Sequence, residues 1–205
     1  MTTAPAQAGE SGPQTRKTLW IVLILNVAIA AGFFATGVVA DSNALIANGL
    51  DNSSDAIVYG LSLVALSRPR KWKRGAARFS GIMLLIFSAG VVADAVRRFI
   101  VGSEPGGDLM MVMAAIAAVI NLASLFLLKR LKGKDVNLRA ATTFSFNDFV
   151  SNGGIIIAGF VVMNTGWNWP DLAVGIAVAC IALYGGIEIL RDAHDDVHDE
   201  RGDEH

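Results

Sequence analysis

Charged side chains are scarce in this chain: Asp, Glu, Lys and Arg make up only 17% of its 205 residues, against 53% hydrophobic residues. The charges gather at the two ends and in two basic stretches, which leaves long apolar runs between them. This composition and the positive mean hydropathy exclude an ordinary soluble globular domain and are usual for a polytopic membrane protein. We expect no nucleic-acid partner, because the basic residues lie beside apolar spans rather than on a folded basic face.

Cysteine is almost absent as well. The single Cys180 cannot form an intrachain disulfide, and we interpret it as a small apolar packing residue. The first apolar run resembles a secretory signal because it follows Arg16 and Lys17, but it is longer than the ~7–15-residue core of such a signal. Five more runs follow it. We therefore interpret it as a retained membrane helix.

Six apolar runs are each close to the ~20 residues that a helix needs to cross a bilayer. Backbone groups in lipid must be bonded internally, and the runs are too continuous for the alternating strands of a barrel, so helices are expected. The predicted fold class is an all-α membrane protein, a six-transmembrane-helix bundle. Its spans are 18–40, 43–67, 78–101, 109–128, 139–163 and 171–190.

The distribution of basic residues predicts the orientation. If the helices alternate in direction, all of the 17 Lys and Arg residues except Arg97 and Arg98 fall on one side of the membrane. The positive-inside rule then places both termini in the cytoplasm, and we expect a multi-pass protein of the cytoplasmic (inner) membrane. Three parts follow: a disordered cytoplasmic tail over 1–16, a transport domain over 17–192 and a short acidic, His-containing tail over 193–205.

Three acids lie in the middle of apolar runs. Asp51 and Asp55 are one helical turn apart and share a helix face with Asn48, and Asp148 lies mid-span in the fifth run. A carboxylate at the bilayer centre costs roughly 2.5–3.5 kcal/mol on insertion scales. Because no Lys or Arg lies beside these acids to neutralise them, the pattern predicts a cation-binding site. The rival interpretation is that the acids pair with polar neighbours and only pack the bundle.

Carboxylate oxygens bind hard and borderline divalent cations, and a zinc site of this kind accepts four donors, of which water can be one. When no metal is bound, like charges removed from water favour protonated carboxyl groups, so an arriving metal would displace protons. The further candidate ligands are Asn48, Ser145 and Asn147. Asn121 is a lone mid-span amide, for which an interhelical hydrogen bond is favoured over metal contact.

Three stretches resemble helices of one known family. NALIANGLDNSSDAIVYG, at 43–60, is similar to the second helix of the cation diffusion facilitator family, in which a His or Asp precedes an Asp by four residues. RAATTFSFNDFVSNGGIIIAG, at 139–159, resembles its fifth helix, and the segment 165–193 its sixth. The resemblance covers residues 17–192. It implies export of Zn(II), and also Cd(II), by alternating access and proton antiport, as a homodimer with no cofactor besides the transported metal and with no enzymatic activity.

The sequence departs from the family pattern in two places. Phe144 occupies the position at which the family has a His or Asp four residues before the acid that aligns with Asp148. The cytoplasmic metal-binding domain that follows the sixth helix in the family is absent from this sequence, which predicts a short family member. Both departures motivate an alternative, a non-transporting or regulatory membrane partner of a full-length relative.

Two other hypotheses concern a transferase activity and a second metal site in the C-terminal tail. A Mg-dependent membrane transferase would use similarly spaced aspartates, but it needs nearby Arg or Lys for phosphate, and none lies within ten positions of Asp51 or Asp55 on their helix. His194 and His198 have the i, i+4 spacing that can hold a metal on a helix. A solvated acidic tail that binds divalent ions loosely is the alternative to a defined site there.

Overall fold

The computed structural model describes the backbone of residues 13–65, 70–129 and 136–202. Side-chain surroundings are described for most of 16–63, 75–129 and 148–191. The predicted ligands Ser145 and Asn147, and the pair His194 and His198, therefore lie outside the described side chains. The predicted disordered tail falls largely on residues that are not described.

Six α-helices and no strand make up the described residues, which confirms the predicted all-α fold. Five of the helices are long and apolar enough to span a membrane. The helices are α1 Pro13–Val39, α2 Asn43–Ala65, α3 Arg70–Val101, α4 Gly107–Lys129, α5 Val136–Thr165 and α6 Trp169–Gly202.

Three helices extend well beyond their predicted spans, and one of them is α3, which begins at Arg70 rather than at 78. α1 begins at Pro13 inside the segment predicted to be disordered, and α6 continues to Gly202 through most of the predicted acidic tail. Hydropathy marks only the apolar part of a helix, and a helix does not have to stop where its apolar part ends. Proline suits a first helical position because its missing N–H would have no intrahelical partner there.

α2 is the helix that is not apolar enough to count among the five. It carries both Asp51 and Asp55, and every residue of α2 whose burial is described is buried or half-buried. It packs against α1, α3, α5 and α6. The polar residues of α2 therefore face protein rather than lipid, which is the arrangement that intramembrane acids require.

The six helices form two groups of neighbours: α1, α2, α4 and α5 make up one, and α3 and α6 make up the other. α1 pairs with α2, α4 with α5 and α3 with α6, and α1 also contacts α4. Glycine allows the closest approach, because a Cβ on Gly107 of α4 would lie 2.8 Å from the backbone nitrogen of Met163 in α5. A Cβ on Gly159 of α5 would in turn meet the side chain of Met111 at 2.9 Å. Small residues at such crossings fix the relative height of two membrane helices.

Three short connections lie at one end of the bundle, which we call the short-turn end: 40–42, 102–106 and 166–168. Each helix that enters it stops at a residue with a left-handed backbone, namely Asp41 (φ 49°), Gly102 (φ 95°) and Gly166 (φ 70°). The amides of the two glycines donate 2.8 Å hydrogen bonds to the last-turn carbonyls of Arg98 and Val162. These are ordinary left-handed helix ends, so the chain reverses tightly here.

Two apolar clusters fill the interior of the α1, α2, α4 and α5 group. The first, on the side of the short-turn end, includes Ile29, Leu45, Ala117 and Ile155, one from each helix. The second lies towards the opposite end and joins Val22, Tyr59 and Leu128 with their neighbours. Between the two clusters lies a layer of buried polar side chains, which we call the polar layer. It contains Asn26, Asn48, Asp51, Asn52, Asp55, Asn121, Ser124, Asp148 and Asn152.

Candidate metal site

Helix α2 places two acids in the polar layer. Asp51 and Asp55 are separated by one turn and so lie on the same side of the helix, as their spacing predicts. Their residues are 9% and 7% exposed, so both carboxyl groups are nearly removed from solvent within this chain. The helix can carry them because four other helices surround it.

Helix α5 brings the third predicted acid to the same place. Asp148 is 2% exposed, and its carboxyl group lies within hydrogen-bonding distance of that of Asp51. Two ionised carboxylates can only accept hydrogen bonds, so such a pair needs a proton or a cation between its oxygens. The pair is therefore arranged to share either a proton or a cation.

Asp55 lies close enough to both other acids for their charges to act on it. One of its oxygens, Oδ2, is buried without a hydrogen-bond partner in the part of the chain that the structure describes. No group of three or more His, Cys, Asp or Glu side chains among those residues is arranged to hold a metal ion. The three acids are thus neighbours, with Asp51 and Asp148 in contact and Asp55 one turn away.

A pair of asparagines links the two acid-bearing helices. The side-chain amide of Asn48 donates a 2.9 Å hydrogen bond to Oδ1 of Asn152, and both residues are fully buried. Asn48 was a candidate ligand, and its own Oδ1 remains without a partner among the described residues. Sequence reasoning did not propose Asn152 as a site residue, although its place one turn after Asp148 was a usable signal.

Two asparagines and a serine of α1 and α4 also face the polar layer. Asn26 is 1% exposed, Asn121 is 1% exposed and Ser124 is fully buried. Each has a polar side-chain atom without a hydrogen-bond partner among the described residues: Asn26 Oδ1, Asn121 Nδ2 and Ser124 Oγ. The interhelical hydrogen bond favoured for Asn121 is therefore not made by its Nδ2. Sequence reasoning considered Asn121 alone, because the other two look like isolated polar residues until the helices are packed.

Basic side chains do not reach this layer in the described part of the chain. Arg98 is the buried basic residue there, and it lies near the short-turn end, where it binds Asp94 of its own helix and Asp41. Arg97 also pairs with Asp94, at 2.8 Å. Asp94 thus pairs with basic residues three and four positions further along its own helix. Among the described residues, no basic side chain therefore lies beside the acids of the polar layer.

A fourth buried acid, Asp171, lies at the short-turn end and is not part of the site. Its carboxylate accepts hydrogen bonds from Ser42 Oγ at 2.5 Å and from the backbone amides of Asn43 at 2.8 Å and Ala44 at 3.1 Å. Those two amides belong to the first turn of α2, which has no intrahelical partners for them. Asp171 thus joins the start of α6 to the start of the helix that carries Asp51 and Asp55.

A bundle of membrane-length helices whose interior holds three acids, with no basic side chain beside them in the part of the chain that is described, defines a class: integral membrane proteins that handle cations. Comparison with known sequences agrees with this class. The profile of the cation efflux transmembrane domain matches residues 19–196. The chain therefore belongs to the cation efflux family, the cation diffusion facilitators that its helix motifs predict, and members of this family are transporters rather than enzymes.

Individual relatives are distant but cover most of the chain. It is 25% identical to a cadmium, cobalt and zinc/H(+)-K(+) antiporter of Bacillus velezensis, over 89% of this chain and 63% of the relative. It is 27% identical to the zinc transporter ZitB of Escherichia coli, over 83% of this chain and 60% of the relative. The metal cation efflux protein CzcD of Cupriavidus metallidurans is 24% identical, over 82% and 57%. The chain spans about three fifths of the length of these relatives.

Proposed function

We propose that this protein exports divalent metal cations through the membrane, with Asp51, Asp55 and Asp148 as the transport site. The observation that carries the proposal is the contact between Asp51 and Asp148, two buried carboxyl groups on different helices with no basic partner among the described residues. Such a pair is unfavourable in a membrane unless a proton or a cation occupies it. Asp55 lies one turn from Asp51, and its Oδ2 has no hydrogen-bond partner among the described residues. It is therefore the third carboxylate that would bind the cation.

The metal that we propose is Zn(II), with Cd(II) as a second substrate. Zinc and cadmium occur in the names of the relatives, and carboxylate oxygens are accepted ligands of Zn(II). The acids and amides of the polar layer offer oxygen donors, which also suit Mn(II) and Fe(II). Ser145 and Asn147 remain candidate ligands beside Asp148, and His194 and His198 remain candidates for a separate, weaker site on the extension of α6.

Transport follows from the same contact by exchange of protons for metal. A divalent cation that enters between Asp51 and Asp148 takes the place of the proton they share, and the proton leaves to the side from which the metal came. The acids are carried by helices α2 and α5, which belong to different hairpins, so a change in their packing would alter the distance from Asp55 to Asp148. We propose alternating access on this basis, with the helices opening towards one side of the membrane at a time.

Orientation and assembly complete the proposal. The basic stretches flank α2, α3, α4 and α5 at the end opposite the short turns, so the positive-inside rule favours a cytoplasmic location for that end and for both termini. The same rule suits the cytoplasmic (inner) membrane. A homodimer is the assembly that the family resemblance implies. The transport unit would span 17–192 between two tails.

A second candidate is a partner protein that does not transport. It is favoured by the absence of a ready-made metal-holding group among the described residues and by Phe144 at an expected ligand position. Metal binding by the purified protein distinguishes the two, because a non-transporting partner would not need it.

Proteoliposomes containing a pH-sensitive dye in their lumen test the proposal. Addition of external Zn(II) or Cd(II) to wild-type vesicles in potassium-free buffer should drive proton movement out of the lumen. The isosteric changes Asp55→Asn and Asp148→Asn should abolish it, because each removes one of the charges that balances the cation. Asp108→Asn is the matched control, since Asp108 is an exposed acid at the start of α4. Unchanged flux in both site variants would overturn the assignment.

A further inference from the structure

The relative heights of the helices show which residues of α1 and α4 lie beside the acids. A Cβ on Gly49 of α2 would meet Phe33 Cβ at 3.2 Å, and one on Gly37 of α1 would meet Ile46 Cγ1 at 2.8 Å. α1 and α2 are antiparallel, so each step along one helix matches a step back along the other. Continuing from these contacts, Asn26 of α1 lies level with Asp55.

The same reasoning applies to the second hairpin. Gly107 of α4 lies against Gly159 and Met163 of α5, and Gly159 lies against Met110 and Met111. Following the two antiparallel helices towards the opposite end brings Asn121 level with Asp148. Ser124, one turn further along α4, is then level with the stretch of α5 just before Asp148.

The side chains of Asn121 and Ser124 also face the interior of the bundle. They belong to the buried face of α4, together with Ala114, Ala117 and Leu128. Ala114 and Ala117 pack in the first apolar cluster with residues of α1, α2 and α5, and Leu128 packs in the second with residues of α1 and α2. A side chain on this face between those positions therefore faces the interior where the acids lie.

Asn26, Asn121 and Ser124 each have a polar side-chain atom without a hydrogen-bond partner in the described part of the chain. Asn121 Nδ2, Ser124 Oγ and Asn26 Oδ1 are buried without partners among the described residues, which is unfavourable for a polar atom, whereas Asn26 Nδ2 donates a 2.9 Å hydrogen bond to the carbonyl of Val22. An amide can present its oxygen or its nitrogen by a half-turn of the side chain. A buried amide that has an unpartnered atom and lies level with a carboxyl group is placed to bind what the carboxyl group binds.

We propose that Asn121 of α4 and Asn26 of α1 supply amide oxygens to the transported cation, directly or through one water molecule, with Ser124 supporting Asn121. The cation is then held by oxygen atoms from four helices rather than by α2 and α5 alone. Neutral oxygen donors suit harder cations, so these residues determine selectivity: they favour Mn(II) and Zn(II) over the softer Cd(II). The inference rests on the proposed metal site and adds residues to it.

Metal binding to the detergent-solubilised full chain tests this inference, with Mn(II), Zn(II) and Cd(II) titrated separately by calorimetry. Asn121→Leu and Asn26→Leu should each weaken Mn(II) and Zn(II) binding by about 10–100-fold, the range typical of residues that support metal ligands. The loss for Cd(II) should be smaller. Asn121→Asp should restore binding, because it returns an oxygen donor at the same place. Asn164→Leu is the control, since Asn164 is an exposed amide on α5 that bonds only the carbonyl of Phe160.

The inference would be overturned if, for each of the three metals, Asn121→Leu and Asn26→Leu had the same dissociation constant as the wild type. A uniform loss of affinity with no change in the ratio of Mn(II) to Cd(II) would also overturn it, because a structural role has that effect. If Asn121→Leu does not fold, Ser124→Ala and Asn121→Ser carry the same measurements. Asp148→Asn, run in parallel, separates the outcomes: if it too binds normally, the proposed site itself is wrong.

Discussion

Removal of the Asp171 carboxylate is the perturbation whose size follows most directly from the hydrogen bonds in the structure. Its two oxygens accept from Ser42 Oγ and from the amides of Asn43 and Ala44, and the residue is fully buried. In Asp171→Ala the two amides at the start of α2 lose the partners that a helix cannot supply. Hydrogen bonds to a charged group contribute about 1.5–3 kcal/mol each, but they are not additive, and removal also relieves the burial of a charge. A net loss of about 2–4 kcal/mol is expected.

Reversible unfolding in mixed micelles with increasing dodecyl sulfate measures this loss. The unfolding equilibrium constant should rise by roughly two orders of magnitude, at tenfold for each ~1.4 kcal/mol. Asp108→Ala is a close control, because Asp108 also lies in the first turn of a helix but is exposed. It keeps the helix-dipole contribution comparable and should change stability by less than about 0.5 kcal/mol. Equal losses in the two variants would refute the claim that Asp171 acts through its buried bonds.

Two further predictions concern packing and charge. Gly107→Ala should destabilise the α4–α5 hairpin by about 1–3 kcal/mol, since the added methyl group meets α5 backbone; Gly153→Ala meets nothing within 4 Å and should be neutral or slightly stabilising in the same micelle assay. Arg98→Met should lower the free energy of unfolding by about 2–3 kcal/mol, because Arg98 is 8% exposed and contacts both Asp41 and Asp94. Arg97→Met should lower it by less than about 1 kcal/mol, because the Arg97 side chain is 60% exposed. Similar unfolding midpoints for the two members of either pair would contradict these assignments.

The helix count and the family could be obtained from sequence because both depend on local patterns. Length and hydropathy mark the spans, and the four-residue spacing puts Asp51 and Asp55 on one face whatever surrounds them. The contact of Asp51 with Asp148 was only an expectation based on equal depth. Its actual distance depends on how α2 and α5 pack, which the sequence does not state.

Residues whose role depends on the height of one helix against another were harder to recognise. The bond of Asn152 to Asn48 is seen only in the structure, and the height of Asn121 relative to Asp148 is known only once Gly107 and Gly159 set α4 against α5. Asp171 looks like an ordinary acid near a helix start until the turn at Ser42 is folded against it. In each case the signal is a contact between segments far apart in sequence. The helix ends at Pro13 and Gly202 were missed for a different reason, since hydropathy does not report on helix outside the lipid.

The polarity of α2 explains why the site is built where it is. A lipid-facing helix could not carry Asp51, Asn52 and Asp55, because each polar group would meet hydrocarbon on part of its surface. α2 avoids this by being enclosed by α1, α3, α5 and α6, which also means that any movement of α2 must be shared with those neighbours. Asp171 ties its first turn to α6, and Asn48 ties its middle to α5. Since the start of α2 is held more firmly than its middle, a change in access to the acids is expected to arise by movement at the opposite end of the helix.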